Sequence, residues 1–159
     1  MIREKPEHAQ KFLFHLSKVF RYSLSNKNQE IVEFEQELAL LRSNIALFKM
    51  RFEHALIVNI RVDETNDLKI PHMALQPLLE NAIKHNMVSE KEPLYIDIYQ
   101  EENTLVFQNT INLKKYNEPS TGIGLHNLNE RYQILNGEGI SIKKSDRLFC
   151  VKLPLLYAV

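Results

Sequence analysis

Leu75-Gln76-Pro77-Leu78-Leu79-Glu80-Asn81-Ala82-Ile83-Lys84-His85-Asn86 is the stretch on which the reading of this chain turns. Wound as a helix, it puts Leu75, Leu78, Leu79 and Ala82 on a stripe that faces a core. Asn81, Lys84 and His85, three and four residues apart, share another side. One side packs and the other is open to a ligand. An asparagine amide oxygen can complete the octahedral shell of a magnesium ion that also bridges phosphate oxygens, and a neighbouring lysine and imidazole offset phosphate charge. By spacing alone, a surface helix with a solvated polar side is the favoured account. Pro77 cannot donate to residue 73, so the regular helix is expected to begin close to Met73.

A second stretch, Thr121-Gly122-Ile123-Gly124-Leu125, holds two of the four glycines and precedes a helix expected from Leu125, Leu128, Tyr132 and Leu135. Glycines there let a backbone approach a ligand, and the amides of a helix start form a phosphate cradle; a plain turn explains them equally well.

Around these motifs the pattern is mixed α/β. Ala9, Phe12, Leu13, Leu16, Val19 and Phe20 form one helical stripe after Pro6, and Phe34, Leu38, Leu41, Ile45, Phe48 and Phe52 form a second with no clear N-cap. Val58, Ile60 and Val62 alternate as a strand, 94–99 and 104–109 read as a hairpin, and 140–142 with 148–153 close the chain as another. Residues 112–120 are polar and aperiodic. This order predicts a two-layer α/β sandwich behind an amphipathic helix.

Lysine plus arginine (20) balance aspartate plus glutamate (20), so no net field draws the chain to nucleic acid, which is not an expected partner. The one cysteine, Cys150, sits in an apolar strand pattern, and no disulfide framework exists. No apolar run is long enough to span a bilayer, and 1–6 is no signal peptide, so a soluble piece is expected. His8, His54, His72 and His126 show no metal-ligand grouping.

Taken in order, the two motifs resemble the ATP-binding domain shared by histidine kinases, type II topoisomerases, certain chaperones and mismatch-repair ATPases. The wording is closest to the LytS-like sensor kinases: Leu16-Ser17, Phe20-Arg21-Tyr22-Ser23-Leu24, Glu37-Leu38, Arg51-Phe52, Leu75 to His85, and Thr121 to Leu125 with Asn127, Glu130 and Arg131. The resemblance spans nearly the whole chain. It implies a Bergerat-type fold, a mixed sheet with helices on one face, with 1–28 the end of a dimerisation helical region and 29–159 the ATP-binding catalytic domain. It implies ATP and Mg2+ as ligands, a homodimer through the N-terminal helix, a response regulator as partner of the full-length protein, and the cytosolic part of an inner-membrane sensor. Asn81 would hold magnesium, Lys84 and His85 would lie near the phosphates, Gly122, Gly124 and Leu125 would supply the cradle and anchor a lid at 112–120, and Asn127 would help order the helix start. The acceptor histidine is expected outside this chain.

Three departures qualify that reading. Where these kinases place an Asp followed by glycine to accept a hydrogen bond from the adenine amino group, this chain has Asn109-Thr110; Asn109 is a weaker acceptor, or simply a strand-end turn former. One turn before Asn81, where hydrolysing relatives carry a general base, stands Pro77, and Glu80 points about 100° round the helix, so fast hydrolysis is not expected. Lys11-Phe12-Leu13-Phe14-His15 resembles the acceptor phrase, but lysine holds the acceptor place and Arg21 is too near; His15 is expected to be an exposed ordinary histidine. The alternative to a kinase domain is a degenerate regulatory or dimerising module with the same fold.

Overall fold

In a computed structural model, residues 6–25, 30–63, 67–112 and 122–157 are described. Alternation decides the sheet. Leu94, Ile96 and Ile98 of β4 (Leu94–Glu101) and Leu105 and Phe107 of β5 (Thr104–Thr110) are buried on one side. The hairpin between them closes over Glu102 and Asn103, with Glu102 at φ 52°. β2 (Leu56–Arg61) lies parallel to β4, while β7 (Leu148–Pro154) is antiparallel to β5 and carries the edge strand β6 (Ser141–Lys144). The sheet order is β2-β4-β5-β7-β6, a mixed sheet as expected.

Three helices supply the second layer of the core. α2 (Phe34–Phe52) contributes Phe34, Leu38, Leu41 and Ile45; α3 (Gln76–His85) contributes Leu78, Leu79 and Ala82; α4 (Ile123–Asn136) contributes Leu128 and Tyr132. A single turn of 3-10 helix, Glu53–Ala55, joins α2 to β2. Each such leucine, fully buried, stabilises the fold by about 1.5–3 kcal/mol.

Two short strands differ from the sequence expectation. β1 (Ile31–Glu33) and β3 (Lys69–Pro71) pair antiparallel, and Lys69 also exchanges backbone hydrogen bonds with Leu156 at 2.7 Å each way. Residues 70–73 are therefore not helical. Met73 has φ 59°, a left-handed conformation that no helix tolerates, and α3 starts only at Gln76. Pro77 sits in the first turn, where its missing N–H is no loss.

α1 (Pro6–Ser25) packs along α2. Leu16 and Val19 of the expected stripe are half-buried, whereas Phe12, Leu13, Phe14, Phe20 and Leu24 remain exposed. His15 is half-buried, not exposed, and its Nδ1 is buried without a hydrogen-bond partner. No helix among the described residues is long and apolar enough to cross a membrane.

Candidate functional site

The open flank of α3 is bounded at both ends by the other motifs. At its N-terminal end, a Cβ placed on Gly124 would lie 3.4 Å from the Pro77 Cβ, so the paired-glycine turn rests on the first turn of α3, one turn before Asn81. Gly122 caps α4 in the left-handed conformation, φ 64°, where a side chain is strained. Its carbonyl accepts a hydrogen bond from the His126 amide at 3.0 Å, and as a glycine it brings no side-chain cap to the helix start. Asn127 is exposed, and the N-cap position itself belongs to Gly122. Leu125 is half-buried and packed against the core, anchoring the first turn.

At the C-terminal end of α3, Asn86 does work that its sequence position does not announce. Its side chain is buried; Nδ2 donates to the Ala82 carbonyl at 2.8 Å and Oδ1 accepts the Asn112 amide at 2.7 Å. The Met87 amide completes the clamp by donating to the Asn112 carbonyl at 2.8 Å. The segment leaving β5 is thereby tied to the end of α3, and Asn109, three residues earlier, comes with it. Asn109 stands inside β5, paired with Ile96 and Phe149, on the side that Leu105 and Phe107 present to the helices. It is buried, not a strand-end turn residue. Its Nδ2 donates to the Thr110 carbonyl at 2.9 Å, which leaves Oδ1, the acceptor, as the other amide atom. Residues 113–120 of the expected lid lie outside the described residues.

Asn81 and His85 are half-buried on the flank between these ends. Lys84 is exposed and, with Glu80, lines a groove of about 460 Å³ between α3 and the aromatic end of α2, Phe48 and Phe52. The ring facing α4 one turn before Asn81 is proline, with no proton-accepting group. Among the described residues no three His, Cys, Asp or Glu side chains group to hold a metal. A magnesium ion carried by phosphate oxygens needs only one or two protein ligands, and the Asn81 amide fits that demand.

Behind the site lies a buried polar junction. Glu37 of α2 is fully buried, and its Oε1 accepts the Tyr22 hydroxyl and the Met73 amide, both at 2.6 Å. Burial pushes the pKa of its carboxyl above the ordinary carboxylate value, a rise that Tyr22, the Met73 amide and the charge of Arg131 oppose. Burial likewise pushes the Tyr22 and Tyr132 hydroxyls up and the His72 imidazole down. Cys150 is half-buried in β7 with its thiol raised by burial, an inert strand residue as read. Glu37 carried one overlooked signal: with Phe34 and Leu41 it stands at core spacing on α2.

Comparisons with known proteins agree with this fold. The catalytic domain of histidine kinase ThkA superposes with a TM-score of 0.54 at 16% identity, covering 81% of this chain and 100% of that one, which places the fold among histidine kinase catalytic domains. A family model described as histidine kinase matches residues 1–56. The sensor histidine kinase YpdA of Escherichia coli is 31% identical over 156 residues, 90% of this chain and 28% of its own length. The sensor protein LytS of Enterococcus faecalis is 31% identical over 158 residues, 86% of this chain and 26% of its own. This chain is homologous to the LytS- and YpdA-type sensor histidine kinases, and spans little more than a quarter of the length of those two relatives.

Proposed function

We propose that the chain binds Mg-ATP between α3 and the start of α4 and, as the catalytic domain of a two-component sensor kinase, presents the γ-phosphoryl to a histidine. The observation that carries this reading is the seating of Gly124 on Pro77, which brings the helix start and Asn81 to one place from distant parts of the chain. In this reading Asn81 offers its amide oxygen to the magnesium ion, the first-turn amides of α4 at Gly122 and Gly124 hold phosphate oxygens, and His85 offsets charge from the flank, while Lys84, expected beside it, lines the groove toward α2. The Asn109 Oδ1 accepts the adenine amino group. Phosphoryl transfer draws its catalysis from positioning and charge neutralisation, which these groups supply without a proton-accepting side chain. The proline facing α4 suits a domain that hands its phosphoryl to a partner group and hydrolyses ATP slowly.

Residues 1–28 belong, in this reading, to the dimerisation region, with 29–159 as the catalytic domain. Of the stripe expected to meet a second copy, Phe12, Leu16, Val19 and Phe20, the exposed Phe12 and Phe20 would make that contact while Leu16 and Val19 are half-buried, and a response regulator would take the phosphoryl from the intact, membrane-anchored kinase. Isothermal calorimetry tests the core of the proposal. Mg-ATP gives a magnesium-dependent signal with the wild-type chain that is lost in Asn81→Ala; absence of heat at millimolar nucleotide favours the regulatory module instead. A monomer by light scattering at high concentration contradicts the dimer.

A further inference from the structure

The buried junction around Glu37 touches every helix that frames the nucleotide cleft, and α1 as well. From α1, Tyr22 donates its hydroxyl to Glu37 Oε1, and its ring lies against His72 at 5.4 Å between centroids, tilted by 31°. From the entry of α3, the Met73 amide donates to the same oxygen. Met73 is held at φ 59°, a conformation that a non-glycine residue keeps only when its surroundings impose it. From α4, Arg131 donates to the His72 carbonyl at 2.6 Å while its charge attracts Glu37. A hydrogen bond from Asn44 to Gln76, the first residue of α3, adds a second tie from α2.

One carboxylate thus stands where the docking helix, the turn that starts the Asn81 helix and the helix that starts at the paired glycines meet. Its second oxygen, Oε2, is buried without a hydrogen-bond partner, as are His72 Nε2 and the Tyr132 hydroxyl. A fully satisfied network would be rigid, whereas this one holds unpaired polar groups beside its hydrogen bonds, so it can exchange partners when one element moves. Hydrogen bonds to an ionised acceptor are worth more than neutral ones, so removing Tyr22 from Glu37 changes the strength with which Glu37 holds the others.

We propose that Glu37 is a positioning residue through which the docking of α1 sets the entry of α3 and the course of α4, so that α1 and the nucleotide cleft share one energetic coupling. The link to nucleotide rests on the function proposed above; the link between α1 and the α3 entry does not. α1 is the element that would carry a signal into the domain, and Tyr22 is the one α1 side chain hydrogen-bonded to this junction among the described residues.

Amide hydrogen exchange on the full chain, well below its melting temperature, tests the proposal with Tyr22→Phe, which removes a single hydroxyl. Exchange is expected to quicken about tenfold in 72–81 and 123–132 as well as in 16–24, the factor that loss of one charge-assisted hydrogen bond gives. Faster exchange confined to 16–24, the result of a merely local contact, overturns it. In a second arm, saturating Mg-ATP slows exchange in 16–24 of the wild type and fails to do so in Tyr22→Phe, because coupling between two sites is reciprocal. Mg-ATP that binds and leaves α1 exchange unchanged refutes the coupling. If Mg-ATP does not bind the wild type, the nucleotide reading fails by itself, and the first arm decides the role of Glu37.

Discussion

Gly124→Ala separates a ligand cradle from an ordinary helix start. The position needs no left-handed backbone, and the added methyl would meet one atom within 4 Å, the Pro77 Cβ at 3.4 Å, an ordinary contact. Exchange of glycine for alanine in a helix stabilises by up to about 1 kcal/mol, less in a first turn, so the melting temperature should hold or rise by up to about 4 °C. The methyl would, however, occupy the space through which a phosphate oxygen reaches the amides. Losing one charge-assisted hydrogen bond there, about 1.5–3 kcal/mol, weakens Mg-ATP binding by roughly ten- to a hundredfold. Thermal unfolding without nucleotide and calorimetric titration with Mg-ATP read the two effects independently. Unchanged affinity in a variant of unchanged stability would show that the glycine serves the turn alone, and a large fall in melting temperature would show that the space is needed by the fold; either refutes the cradle.

Asn109→Asp restores the carboxylate of related kinases, and its stronger acceptor should tighten Mg-ATP about tenfold. The same change replaces the donor to the Thr110 carbonyl with a buried charge, so unfolding free energy should drop by about 1–3 kcal/mol; calorimetry and denaturant titration check both. Asn86→Ala leaves the Ala82 carbonyl and the Asn112 amide without their partner and is expected to destabilise by about 2–4 kcal/mol, with faster amide exchange at 110–112; an unchanged midpoint contradicts the clamp. Glu37→Gln reports on pH. Because burial holds the folded carboxyl above its ordinary range, the unfolded chain releases that proton first as pH rises. Wild type should therefore lose stability relative to Glu37→Gln from the ordinary carboxylate range up to the folded value and stay level beyond it; the opposite slope would show that the carboxylate is stabilised by its neighbours more than it is penalised by burial.

The long elements were legible because their apolar period is local: α1, α2, β4, β5 and α4 lie within a few residues of where alternation or helical spacing puts them. β1 and β3 were not, since a three-residue strand has no period and these two exist through pairing of Ile31 with Pro71 and Val32 with Ile70 across the chain. The helix start slipped from Met73 to Gln76 for the same reason: the turn at Met73 is imposed by Glu37, a residue far away in sequence. At the site, the types and order of Asn81, Gly122 and Gly124 were readable, and the fold seats Gly124 on the first turn of the Asn81 helix. The facing of Lys84 toward α2 and the clamp made by Asn86 depend on neighbours that no spacing encodes.

Whether the separate motifs serve one nucleotide is tested most directly by amide chemical-shift mapping of the full chain during a Mg-ATP titration. Shifts that saturate together at a single Kd in 79–86, 108–112 and 122–126 are the expected result. Shifts confined to the groove bearing Phe48, Phe52 and Glu80, or different binding curves for α3 and α4, would contradict a shared site.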